Sequence, residues 1–95
     1  MNKYEVALVV TTLISDEERA AFVEHVKEYI VRRGGTVTDV EDWGKRKLAY
    51  EIQKQPEGYY YFVKVDAEPS MSVDLEKDLR IMENLLRYLI VRVDE

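Results

Sequence analysis

Twice along this chain the spacing of apolar residues changes from every second position to every third or fourth and back, and that sequence of periods restricts the fold more than any single motif. From Lys3 to Val10, Tyr4, Val6, Leu8 and Val10 share one face and Lys3, Glu5, Ala7 and Val9 the other, the alternation of a strand. Ser15 then stands three residues before Glu18, at capping-box spacing, and Asp16, Glu17 and Glu18 put negative charge at the positive end of a helix dipole. Phe22, Val26, Tyr29 and Ile30, with Arg33 at the margin, form one stripe, and Gly34-Gly35 supplies a left-handed stop, so a helix is predicted near Asp16 to Arg33.

Alternation resumes at Thr36 and continues to Gln53, with Leu48, Tyr50 and Ile52 in phase. Val37 and Leu48 have opposite parity, so a single strand facing both inward needs a bulge, for which Gly44 is the natural place. Gln55-Pro56-Glu57-Gly58 reads as a reversing turn, and Tyr59 to Ala67 as the strand that pairs back. Ser70 or Ser72 is the expected cap of a second helix whose buried side carries Leu75, Leu79 and Met82. Glu83-Asn84 ends it, and Leu85 to Val93 is a last strand. The order β-α-β-β-α-β predicts an α+β, ferredoxin-like sandwich: a four-stranded antiparallel sheet with both helices on one face and the other face open. Residues 1–95 make one domain, large enough to bury roughly 60 to 65% of the unfolded surface.

Reactive chemistry is sparse. The chain has no cysteine, and its one histidine, His25, lies between Glu24 and Val26 and reads as a partly solvated helix residue rather than a metal ligand. Asp16-Glu17-Glu18 is accounted for by the helix start. Asp39, Glu41 and Asp42 lack the spacing of a calcium loop, and there is no GxGxxG, P-loop or GxSxG. No cofactor, metal or catalytic residue is expected. Apolar runs such as Tyr59 to Val63 fall far short of a membrane span, and no signal-peptide pattern opens the sequence, so the expected location is cytoplasmic.

Charge singles out one stretch. The chain carries a net −5, yet between Gly44 and Lys54 four basic residues, Lys45, Arg46, Lys47 and Lys54, stand against one acid, Glu51. Two readings are open: solvating gatekeepers of an edge strand, or phosphate contacts. Tyr50 likewise is a core residue by parity with Leu48 and Ile52, or a contact residue. Four phosphate contacts give a slope of log affinity against log salt of only about −3 to −4, and the acidic remainder opposes long-range attraction. Such a chain needs a shaped RNA or a basic partner. The RNA-recognition motif, K/R-G-F/Y-G/A-F-V-x-F/Y, is matched in part around the third strand: Gly58, Tyr59 and Tyr61 fit, whereas Glu57, Tyr60 and Lys64 do not.

Three segments carry a family resemblance. Lys3-Tyr4-Glu5-Val6, the run Glu41-Asp42-Trp43-Gly44-Lys45-Arg46-Lys47-Leu48-Ala49-Tyr50-Glu51-Ile52, and Leu79-Arg80-Ile81 leading through Asn84 and Arg87 to Ile90-Val91 together resemble the bacterial small-subunit ribosomal protein S-six family over nearly the whole chain. Glu51 departs from the proline common at that place. The resemblance implies a non-catalytic, ribosome-bound protein that joins the central domain of 16S ribosomal RNA together with ribosomal protein S-eighteen and supports subunit assembly, without DNA or membrane partners. It also implies RNA- or partner-contacting roles for Lys3, Tyr4, Lys45, Arg46, Lys47, Tyr50, Arg87 and Arg92, to which the local charge adds Lys54. The lysines and arginines would meet phosphates or partner acids, and the tyrosines ribose, base or partner side chains. A competing reading is a small-ligand regulatory domain of the same topology, which would bind a metabolite at a dimer interface. An acylphosphatase-like enzyme would need an arginine in the first loop, where Thr11-Thr12-Leu13-Ile14 has none.

Overall fold

A computed structural model describes residues 2–93. Its elements are β1 (Asn2–Val10), α1 (Asp16–Arg32), β2 (Thr36–Ile52), β3 (Gln55–Ala67), α2 (Pro69–Arg80) and β4 (Leu85–Val93). The four strands form one antiparallel sheet in the order β2-β3-β1-β4, as the βαββαβ pattern predicts. Both helices cover one face. Tyr4, Val6, Leu8 and Val10 of β1 and Tyr61, Val63 and Val65 of β3 meet Val26 and Ile30 of α1 and Met71, Leu75 and Leu79 of α2 in a single core.

The helix ends follow the local chemistry. The Glu18 amide donates to Ser15 Oγ at 3.1 Å while the Ser15 amide donates to Glu18 Oε1 at 3.4 Å, a reciprocal capping box. At the other end of α1 the Gly35 amide reaches Ile30 O at 2.9 Å and the Gly34 amide reaches Val31 O at 3.0 Å, with Gly34 at φ +88°, a Schellman closure. α2 begins one to three residues before the serines expected to cap it. Pro69 occupies its first turn, where a missing N–H costs nothing, and Glu68 is the cap without a side-chain bond. The Ser72 hydroxyl instead donates to Pro69 O at 2.9 Å. Met82 lies past the end of α2 and packs half-buried against the core.

The largest correction concerns the hairpin between β2 and β3. Gln55-Pro56-Glu57-Gly58 is not the turn but the first part of β3, and the chain reverses at Gln53 and Lys54, with Ile52 paired to Gln55. Both turn residues are left-handed (φ 51° and 64°), the backbone of a two-residue type I′ reversal. Proline misleads here because the ladder is already broken around it. Lys47 pairs with Glu57 and Ile52 with Gln55, so residues 48–51 bulge opposite Pro56 alone, and no ladder bond is needed from its nitrogen. The bulge expected at Gly44 is present, with a register slip between Asp42 and Gly44, φ +73° at the glycine, and its amide bonded to Asp42 Oδ1 at 2.8 Å. A further slip lies between Val37 and Asp39.

Candidate functional site

Three consecutive residues of a strand cannot present one patch, because successive side chains point to opposite faces. Lys45 is paired with Tyr59 and Lys47 with Glu57, while Arg46 is paired with Gly58. Tyr59 packs on the core beneath α1, so Lys45 and Lys47 rise on the helix-covered side, and Arg46 goes to the open face of the sheet. All three are exposed, as is Lys54 at the hairpin tip. The basic run is therefore a two-sided rim around the distal β2–β3 arm.

On the open face Arg46 has company that its neighbours in sequence lack. Its Nε donates to Trp43 O at 3.0 Å, and its guanidinium lies 5.8 Å from the Trp43 ring centre. Trp43 in turn tilts against Phe62 with ring centres 4.8 Å apart. Tyr60 shares the parity of Phe62. A shallow depression on this face joins Tyr60 and Phe62 to Ala7, Val9, Arg87 and Leu89. Arg87 Nη1 donates to the Tyr50 hydroxyl at 3.2 Å, linking β4 to the bulge of β2. Two arginines thus stand over an aromatic floor, an arrangement able to hold phosphate by charge and a planar ring by stacking.

The nine residues singled out from sequence fall into separate places. Tyr50 and Arg87 are brought together, and Arg46 stands on Trp43, which reaches the same depression through Phe62. Tyr50 is 63% exposed, which decides between its two readings against a core role. Lys3 is exposed at the far end of β1, and Lys3 and Arg92 both already make interactions within the fold. Tyr4 is not brought to the surface patch: its side chain is 7% exposed and belongs to the core, because its parity is that of Val6 and Leu8. Leu48 is buried, whereas Ile52 is only half-buried at the arm's end.

The partial RNA-recognition match fails on parity too. Tyr59 and Tyr61, the residues that fit it, face α1, where the Arg19 guanidinium sits 3.7 Å over the Tyr59 ring and Arg19 Nε donates to the Tyr61 hydroxyl at 2.9 Å. Burial disfavours the Arg19 charge, but its bonds to Asp16 and Tyr61 outweigh this and raise its pKa. The outward aromatics are Trp43, Tyr60 and Phe62. Alternation within β3 carries this in the sequence, since Tyr59 and Tyr61 share the parity of Val63 and Val65, and Tyr60 and Phe62 that of Lys64 and Asp66; placing Trp43 beside them needs the slip at Gly44.

The helices of the described residues include none long and apolar enough to cross a membrane. A family model described as Ribosomal protein S6 matches residues 3–92. The chain is 45% identical over 95 residues to the small ribosomal subunit protein bS6 of Caldanaerobacter subterraneus subsp. tengcongensis, covering 100% of both chains. It is 42% identical, with the same coverage, to the protein of that description from Thermoanaerobacter pseudethanolicus. The crystal structure of 30S ribosomal protein S6 from Thermotoga maritima superimposes with a TM-score of 0.93 at 32% identity, covering 97% of this chain and 87% of that one.

Proposed function

The chain belongs to the ribosomal protein S6 family, structural proteins of the small ribosomal subunit rather than enzymes, and on that footing we propose that it binds the central domain of 16S ribosomal RNA as a heterodimer with ribosomal protein S18, in the cytoplasm on the ribosome. The observation that carries this reading is the placement of Arg46, Arg87, Tyr50 and Trp43 around the β2–β3 arm of a chain that is otherwise acidic. Arginines at the arm meet phosphate oxygens, and Lys45, Lys47 and Lys54 add charge around its rim. Lys3 on β1 and Arg92 on β4 lie at the end of the sheet away from the arm and contact RNA or the partner protein. A net −5 is unfavourable for approaching RNA alone, so the partner supplies positive charge.

Replacing Lys45, Arg46 and Lys47 together by alanine tests the proposal. All three are exposed, so the fold is retained. Filter binding to a transcript of the central domain, with S18 present and at several salt concentrations, is expected to show weaker binding and a log–log salt slope shallower by about 2 to 3. An unchanged affinity and slope would sink the reading.

A further inference from the structure

The distal end of the β2–β3 arm extends beyond the strand that supports its base. Pairing between β1 and β3 ends at Val10 with Tyr59, leaving Gln55 to Gly58 of β3 without a β1 neighbour. A two-stranded ribbon is marginal by itself and ordinarily swings. This one is tied down by a polar contact. The Thr11 hydroxyl, just after β1, donates to Gln55 Oε1 at 2.6 Å, the Thr12 amide approaches the same oxygen at 3.3 Å, and the Leu13 amide donates to Thr11 Oγ1 at 3.2 Å. Thr11 and Gln55 are the two polar residues among the buried side chains of the described chain, at 5% and 8% exposure, and they are 44 positions apart in sequence.

An apolar pair would fill the same space without desolvating an amide and a hydroxyl. What the polar pair adds is direction: a hydrogen bond fixes distance and angle, whereas apolar surfaces slide. Gln55 directly follows the left-handed Lys54, so fixing Gln55 fixes the tip lysine. From the other side the bond between Arg87 and Tyr50 ties the bulge of the arm to β4. At the base, the position of Gly58 lies so close to Val9 that a Cβ there would fall 2.5 Å from Val9 Cγ1, which keeps the ribbon close against β1.

We propose that Thr11 and Gln55 are positioning residues that latch the basic arm to the loop between β1 and α1 and so present Arg46 and Lys54 in a fixed geometry. The inference rests on the RNA-binding reading above. Pre-ordering removes from the binding step the cost of immobilising the arm and its long side chains. The latch therefore acts on affinity without touching RNA.

The test uses the full chain with S18 and the central-domain transcript. Thr11→Val with Gln55→Leu replaces both partners by apolar groups of similar shape; the Thr12 and Leu13 amides lose their acceptors as well, so stability is expected to fall modestly. Expected are retained cooperative unfolding, affinity lower by about five- to tenfold, and an unchanged salt slope, because no phosphate contact is removed. Thr11→Ser keeps the hydroxyl and is expected to bind as the wild type does. In the free wild-type protein the Thr12 and Leu13 amides should show hydrogen-exchange protection. Free exchange of those amides, or wild-type affinity in the double variant beside a weakened Lys45/Arg46/Lys47 alanine variant, overturns the positioning role alone. Wild-type binding by the alanine variant overturns the RNA reading and the latch with it. Should the double variant lose cooperative unfolding, the Thr11→Val and Thr11→Ser pair makes the comparison: equal losses of affinity overturn the proposal, and a loss confined to valine supports it.

Discussion

Two residues at the end of the arm hold backbone conformations that their side chains disfavour. Gln53 and Lys54 are both left-handed, where asparagine and glycine are the residues that sit with least strain. Gln53→Asn with Lys54→Gly is therefore expected to stabilise the protein by about 1 kcal/mol, seen as a higher urea midpoint with an unchanged slope. The same variant loses the tip lysine, so its affinity for RNA is expected to fall as its stability rises. A variant that gains in both would show that Lys54 makes no contact. The lysine at a turn position better suited to glycine is intelligible if its charge is used there.

Between elements, the two helices are joined across their exposed ends by Arg33 and Asp78. Arg33 Nε donates to Asp78 Oδ2 at 2.9 Å and Nη2 to Oδ1 at 2.8 Å, a two-bond pairing between the cap of α1 and the last turn of α2. The hydrogen bond from Arg33 holds the Asp78 carboxyl below its ordinary pKa, against the opposing effect of burial. A depressed folded-state pKa gives stability that is present above the unfolded carboxylate value and is lost as pH falls through the folded one. Asp78→Asn is expected to lower the melting temperature at neutral pH and to leave a smaller further drop on acidification below the carboxylate range. An unchanged acid limb in that variant would show that the pair is too solvated to matter. Elements themselves were largely legible: the Ser15–Glu18 box and the Gly34-Gly35 stop are local signals that need no tertiary partner. The cap of α2 is less legible because serines and a proline compete for the same start, and the proline, with its fixed φ, sets it.

For the molecule as a whole, a net −5 chain whose one locally basic stretch is the arm is expected to bind the central-domain transcript poorly without a partner. Titrating the isolated protein against that transcript at physiological salt checks this, and tight binding would contradict the need for S18. The order of strands and helices, the face that each helix buries and the family are all written in periodicity and local motif, which depend on neighbours within a few residues. The site was less legible. Tyr4 is core, as its alternation with Val6 and Leu8 indicates, against the contact role that the family resemblance implies; Tyr50 suits core and surface equally by sequence and is exposed; and the basic run Lys45-Arg46-Lys47 lies on two faces. In a strand each extra residue exchanges the faces for everything beyond it, so three register slips in β2 decide what Trp43, Arg46 and Tyr50 face. Those slips, and the meeting of Thr11 with Gln55 and of Tyr50 with Arg87, depend on strands far apart in sequence finding their register together, and no local pattern encodes that.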